Sequence, residues 1–517
     1  MGIFMKKIKN MKKIFITSSL LFASFVSFAQ EITPNEGLRY AIDNLTGSAR
    51  FRAMSGAFGA VGGDLSAINV NPAGSAVFNY NQATISLSNY NIRNSSTYFG
   101  TNTIENDHDL DINQAGAVFV FKNNNPSNGW NKISFALNYE NNSNFDNQFY
   151  TRGVNPNNSI DGYFLRFANG LPNEGGIRLE VLENAFFDQL SFIDQQAYLG
   201  YNAYMFNPVD GENLDNSVYF SNVPTNGNFY QENYTVATGY NGKLTGNIAT
   251  SFKDRLFIGL NLNAHFTDLT NTISIYEGYN NNSSTGLRSV QFDTETYTYG
   301  GGFSFGVGAI GKITESLRLG LAYESPTWYN LSDEVRQRTI TYCADCDPDF
   351  NPVIFDPNVI MVFESYKIQT PSKLTGSFAY VFSEKGLISV DYSMKDYSNT
   401  TFRPRSDAHL ESLNNFMTDN LDTAAEIRVG GEIKHKQWSF RGGYRFEESP
   451  YKVDVAMGDL TGYSGGIGFD FGISRLDLAY AYSRRKMNLD LISSGLSDAS
   501  RLTAINNNVT LSYTIKF

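Results

Sequence analysis

Connections between the strands of this chain alternate between short and long, and that asymmetry restricts its architecture more than any other feature. Strands show first as a period of two. Ile133, Phe135, Leu137 and Tyr139 alternate with Ser134, Ala136, Asn138 and Glu140. Ile427, Val429 and Ile433 alternate with Glu426, Arg428 and Glu432, and Trp438, Phe440, Tyr444 and Phe446 with Ser439, Arg441, Arg445 and Glu447. At the end of the chain Val509, Leu511, Tyr513, Ile515 and Phe517 alternate with Thr510, Ser512, Thr514 and Lys516. Such a period puts each set on one face of a sheet. Short connections fall at residues 123–128, 253–254, 312–315, 383–386, 434–437 and 472–474. Long ones fall at residues 94–111, 142–229, 276–287, 325–370, 398–422, 449–459 and 487–504. A soluble sandwich would have short loops at both ends. Short turns on one side and long loops on the other are the habit of outer-membrane barrels. The expected fold is therefore all-β: a transmembrane antiparallel barrel of about fourteen strands, with both chain ends on the short-turn side. Aromatic residues at 14% and charged residues at only 18% suit aromatic girdles around a lipid-facing band.

The beginning of the chain reads as an export signal. Lys12 and Lys13 precede an apolar run over residues 14–28, and Ser27-Phe28-Ala29 offers a small-x-small cleavage site. Residues 1–29 are read as a signal peptide, with Met11 as an alternative start. The expected location is the outer membrane of a Gram-negative bacterium, against lipid and lipopolysaccharide. A net charge of -11 argues against nucleic acid as a partner. Two cysteines are too few for a disulfide-stapled scaffold.

A barrel of this size leaves a hole unless something fills it. Residues 48–78, SARFRAMSGAFGAVGGDLSAINVNPAGSAVF, are rich in glycine and alanine and nearly free of bulky side chains. Such a backbone can lie close to its surroundings, and residues 30–80 are read as a plug inside a barrel formed by residues 81–517. The longest outer loop, residues 142–229, carries Leu179, Leu182, Phe186, Phe187, Leu190, Ile193 and Tyr198 at helical spacing. This stripe is either a lid over the barrel mouth or a shallow groove for an apolar ligand, in which Phe186, Phe187, Leu190 and Ile193 are the candidates. Cys343 and Cys346 in an exported chain read as a local disulfide, with a metal pair as the other reading. Asp345, Asp347, Asp349 and Asp356 approach calcium-loop spacing, but Phe350 stands where the sharp turn needs glycine. Asp107, Asp109 and Asp111 form a second acidic group, read as a solvated loop face. Glycines 306, 308 and 311 match a dinucleotide fingerprint, yet a turn rather than a helix follows; they are read as relieving crowding in the wall or under the plug. Gly462-Tyr463-Ser464-Gly465-Gly466 matches a nucleophile elbow but lies within a strand pattern. The four histidines, His108, His265, His409 and His435, are scattered, so neither a catalytic constellation nor a metal or cofactor site is expected.

Gly62-Gly63-Asp64, Ala67 and Asn71-Pro72-Ala73-Gly74 resemble the hatch of the FadL family of outer-membrane transporters. LRLGLAYESPTWYNL (residues 317–331), YKIQTPSKLTGSFAYVF (366–382) and GLISVDYSMKDYS (386–398) follow in the same order, then AEIRVGGEIKH (425–435) and SFRGGYRFEESPY (439–451). The resemblance implies a monomeric, fourteen-stranded barrel that takes up long-chain fatty acids or aromatic hydrocarbons without a cofactor. In it, ligand caught by outer loops is released by movement of a hatch, here Gly62, Gly63, Asp64, Asn71, Pro72 and Ala73, and leaves sideways through the wall. The long outer loops depart from the enterobacterial pattern and leave the ligand open. A second reading is a FadL-like barrel serving as a binding or adaptor component for secreted proteins, as in type IX secretion.

Overall fold

The computed structural model describes residues 32–517 apart from 124–127, 171–174, 226, 280–285, 347–350, 384, 454–455 and 493–494. The signal-peptide reading and Asp347, Asp349 and Phe350 fall outside the described residues. One closed antiparallel sheet forms the wall, in fourteen strands. They are β1 (Gln82–Tyr98), β2 (Thr101–Lys122), β3 (Trp130–Asn144, continued by Asn147–Asn155), β4 (Phe229–Phe252) and β5 (Leu256–Gly278). Next come β6 (Leu287–Lys312), β7 (Leu317–Glu324, continued by Trp328–Cys343), β8 (Tyr366–Gln369, continued by Lys373–Val381) and β9 (Gly386–Asp396, continued by Thr401–Arg403). The last are β10 (Thr423–His435), β11 (Trp438–Glu447), β12 (Leu460–Asp470), β13 (Ser474–Asp490) and β14 (Ala499–Lys516). Pairing of Gln82 with Lys516 and of Leu87 with Leu511 closes the ring.

Closure satisfies the wall's backbone polar groups and leaves side chains to choose a solvent. On β14 the outward Leu511, Tyr513 and Ile515 are 43%, 45% and 41% exposed, whereas the inward Thr510, Ser512 and Thr514 are at most 2% exposed. Apolar side chains outside and polar ones inside are the arrangement of a barrel standing in lipid. Among the described residues no helix is long and apolar enough to cross a membrane.

Three long connections of the sequence reading are corrected. Residues 94–111 are not a loop: β1 and β2 meet at a two-residue turn, Phe99-Gly100, whose φ angles of 43° and 81° suit a tight hairpin. Asp107, Asp109 and Asp111 accordingly lie on the inward side of β2, where their polarity imitates a loop. Within residues 325–370, Trp328–Cys343 and Tyr366–Gln369 continue β7 and β8 upward, and two short strands, Val353–Phe355 and Met361–Val362, attach to β7. The stretch 142–229 opens with the second segment of β3, which pairs with β4.

Among the described residues the α-helices are α1 (Pro34–Ala41), α2 (Ala49–Ala53), α3 (Asp161–Ala168), α4 (Leu179–Asn184), α5 (Phe192–Asn202) and α6 (Ala408–Asn420). The helical stripe over residues 177–204 is thus broken, since Ala185-Phe186 and Leu190-Ser191 are extended and Ser191 caps α5 by accepting the Asp194 amide at 3.2 Å. Helix α6 carries no strong periodic signal in the sequence. Helices α3 to α5 form a cap against the upper strands. Tyr163 and Phe164 stack edgewise or tilted on Phe292 of β6 at 5.8 and 5.2 Å. Gln196 donates to Gln337 of β7 at 2.8 Å, and the Ile160 amide to Glu277 of β5 at 3.0 Å. Phe292→Ala removes the ring on which two cap aromatics rest and costs about 3–5 kcal/mol locally. Limited proteolysis of the variant is expected to cut residues 161–202 faster, with the heat-resistant barrel band on gels unchanged.

Candidate functional site: plug, lumen cavity and wall gap

The N-terminal segment fills the lumen. Ser48 caps α2 by accepting the Phe51 amide at 3.2 Å, while its hydroxyl donates to Asp64 at 2.8 Å. Gly62 and Gly63 have φ of 62° and 67°, a conformation that favours glycine, and the Gly63 amide donates to Gly74 O at 3.1 Å. Asp64 also accepts the Ser66 amide at 3.0 Å. Asn71 joins the plug to itself and to the wall. Its side-chain amide donates to Gly59 O at 2.7 Å and to Ala309 O of β6 at 3.0 Å, and its oxygen accepts the Ala73 amide at 3.1 Å. Pro72 O accepts from Asn247 of β4 at 2.9 Å. The six hatch positions named from the sequence are thus buried or half-buried, Asn71, Pro72 and Ala73 against β4 to β6 and Gly62, Gly63 and Asp64 within the plug.

The wall is thinned to receive them. A Cβ on Gly308 would stand 2.1 Å from Asn71 Oδ1, and one on Gly259 2.3 Å from Pro72 O. Charges fasten the other side. Glu432 of β10 meets Arg50 of α2 at 2.9 Å and Arg441 of β11 at 2.6 Å, and Arg441 reaches Asp477 at 2.7 Å. Asp43 takes Lys373 at 2.8 Å and Lys395 at 2.9 Å. Buried charges are tolerable only when paired this closely. The first turns of the plug climb outward, where Leu38 and Tyr40 of α1 share an apolar cluster with Leu410, Leu413 and Met417 of α6.

Beside the plug lies a lumen cavity of about 90 Å³, whose lining includes Tyr40, Asn69, Lys243, Asn263, His265 and Tyr329. Sequence reasoning missed these residues, because inward polar side chains on strands carry no motif. His265 is held by Ser304 at 3.0 Å and by Tyr329 at 3.2 Å, and Tyr40 stacks on Tyr329 at 5.0 Å.

The wall also has an interruption. β2 pairs with β3 only between Gln114–Lys122 and Lys132–Glu140. Above Gln114 the edge of β2 makes no ladder with β3, which breaks at Phe145-Asp146 and carries its second segment inward against β1 and β2. There Asn94 on β1 donates to Gln148 O at 2.7 Å, and Gly153 lies so close that a Cβ would stand 2.7 Å from Tyr98 O. Side chains bridge the opening in place of a ladder. Asn144 donates to Asp109 at 2.6 Å, Gln148 to Asn106 O at 2.9 Å, and Asn141 to Asp111. A strand crosses hydrocarbon in about 9–11 residues, so counting up from Phe121 the gap opens near Ile112, at the outer edge of the lipid band.

The groove candidates separate. Phe187 is buried in the cap's core with Tyr198 at 6.0 Å and Phe355 at 6.5 Å, Leu190 and Ile193 are half-buried, and Phe186 points to solvent. Cys343 and Cys346 are joined by a disulfide at the top of β7.

No family model matches the sequence, and no curated protein resembles it closely enough to be matched. Solved structures do match. A FadL homologue from Pseudomonas aeruginosa is similar over 92% of this chain and 100% of its own, with a TM-score of 0.51 at 14% identity. The toluene transporter TodX of P. putida is similar over 92% of this chain and 99% of its own, with a TM-score of 0.50 at 13% identity. The chain has the FadL fold. A FadL-type barrel with its lipid-facing band resides in the outer membrane, and here its lumen is closed by residues 32–78. Deleting residues 63–74 is expected to leave the barrel foldable but open to small polar dyes. Dye entry into cells or liposomes carrying the variant measures this, and unchanged permeability would remove the plug assignment.

Proposed function

We propose that this barrel gives passive, plug-gated uptake of hydrophobic molecules across the outer membrane. The observation that carries the reading is the wall gap beside a plugged lumen. A barrel whose bore is filled offers no straight channel, whereas a missing ladder between β2 and β3 offers a side exit at the outer edge of the lipid band. Apolar ligand would first meet the cap, where Phe186, Val209, Leu214, Val218 and Phe220 are exposed. It would then pass into the lumen and leave between β2 and β3 when the plug shifts about its glycine turn at Gly62-Gly63. The choice between fatty acid and aromatic hydrocarbon belongs to the outer segments, where FadL-type barrels of one fold differ. No covalent step is needed.

The route is tested by locking the gap. Asp109 and Asn144 touch across it, and a D109C/N144C pair can be tied by a short bis-methanethiosulfonate crosslinker, whose bonds reductant reverses. In a strain lacking the gene and complemented with this variant, uptake of labelled toluene and oleate is expected to stop on crosslinking, and to return on addition of reductant. Uptake that is indifferent to the lock sinks the side exit. Intact uptake in the deletion strain, with export of a secreted protein lost instead, supports the adaptor reading over transport.

A further inference from the structure

The gap has a chemical sign. Along the free edge of β2, Glu105, Asp107, Asp109 and Asp111 all face inward, and Asp146 at the break in β3 lies within the field of Asp109, Asp107 and Asp111. Successive inward residues on a strand stand about 7 Å apart, so these carboxylates line the slot instead of converging. Among the described residues no three of them bring oxygens within 4.8 Å of one another, which argues against a single bound metal ion.

A second observation concerns amides at the two ends of the slot, Asn94 level with Glu105 at the top, Asn113 and Asn141 beside Asp111 at the foot. Asn94 on β1, Asn113 on β2 and Asn141 on β3 are at most 2% exposed, and the side-chain oxygen of each has no hydrogen-bond partner. Their orientation is fixed, because each nitrogen is already committed: Asn94 to Gln148 O at 2.7 Å, Asn113 to Gly47 O at 2.8 Å, and Asn141 to Asp111. Turning any of them over would set oxygen against oxygen. Buried acceptors without donors are costly and call for a partner that brings hydrogens. The plug cation nearest β1, Arg52, is turned to Ser88 at 2.8 Å and to the Tyr90 ring at 5.6 Å.

Resting on the side-exit reading above, we propose that the slot between β2 and β3 binds the ammonium head of a cationic amphiphile, an alkyl or aromatic amine, and disfavours fatty-acid carboxylates. An ammonium supplies three donors and no acceptor, which suits the foot of the slot, where Asp111 is bonded to Asn141 and stands two residues from Asn113, each of these amides having an idle oxygen. A carboxylate in the same slot would meet like charge and acceptors only. The apolar remainder of the ligand would lie toward the exposed Leu110 and Ile112 on the outside of β2, at the outer edge of the lipid band.

The test compares head groups on one chain length. Purified full-length protein in nanodiscs is titrated calorimetrically with dodecylamine, dodecanol and dodecanoate. Dodecylamine is expected to bind about tenfold or more tighter than dodecanoate, one charge contact at intermediate screening. The preference is expected to fall toward unity in Asp109→Asn/Asp111→Asn, and with added salt. Should that variant lose its heat-resistant barrel, Glu105→Gln/Asp107→Asn, whose side chains bridge nothing across the gap, carries the same readout. Dodecanoate binding as tightly as the amine, or an amine preference untouched by both variants, overturns the head-group inference while dodecanol binding leaves the transport reading standing. Failure of all three ligands to bind overturns both. Calcium binding that is lost in the variants, without any amine preference, replaces the inference with a metal slot.

Discussion

Everything in this molecule depends on the match between the inner face of the wall and the backbone of the segment it encloses. A fourteen-stranded ring in lipid has no choice about its outside, but its bore is wide enough to hold water. Filling it with ordinary side chains would need a second hydrophobic core. The chain instead fills it with a compact segment whose few large side chains, such as Phe58, Met54 and Leu65, form small clusters, and wall side chains take up the polar backbone groups so introduced. Asn247 serves Pro72 O, Asp391 serves the Gly59 amide, and Ser512 serves the Ala49 amide. Glycines at 259, 308, 320, 430 and 443 let that backbone approach closer than any Cβ would permit.

The electrostatic half of this match is uneven around the ring. On the side of β10 to β13 the contact is ionic, through Arg50, Glu432, Arg441 and Asp477. On the side of β4 to β6 it is neutral, through Asn71, Pro72, Asn247 and Asn261. Breaking a buried pair costs several kcal/mol, while a neutral hydrogen bond contributes about one. Under the proposed gating, the neutral side is therefore the one that would part more easily.

Sequence alone carried the barrel, its strand number and the plug, because two-residue periodicity and turn length are properties of short windows. Gly386–Asp396 and Thr423–His435 needed nothing beyond their own residues to be read as strands. What it did not carry is the height of the strands above the membrane. Outside lipid the outward face no longer has to be apolar, so Thr101–Asp111 with Asn102, Asn106 and His108 outward looks like a loop. The lumen cavity was invisible for a related reason: Lys243, His265 and Tyr329 sit on three different strands, and only the register of the ring brings them to one side of the plug. Helix boundaries in the cap depend on contacts with β5 to β7 that lie a hundred residues away in the chain.

The wall gap shows why such a barrel can be both closed and permeable. Unpaired strand edges in hydrocarbon are prohibitively expensive, since each orphaned backbone group costs several kcal/mol. Placing the interruption at Gln114, where the lipid band ends, avoids that cost, because above it water and side chains are available to the free edge. Thr103 and Gln148 satisfy part of it by binding Tyr150 O and Asn106 O, so the opening is held by individual side chains rather than by a cooperative ladder. Side-chain bridges exchange one at a time, whereas a ladder parts along its whole length. On the proposed route, an exit built this way would open for a ligand of modest width without unzipping the barrel around it.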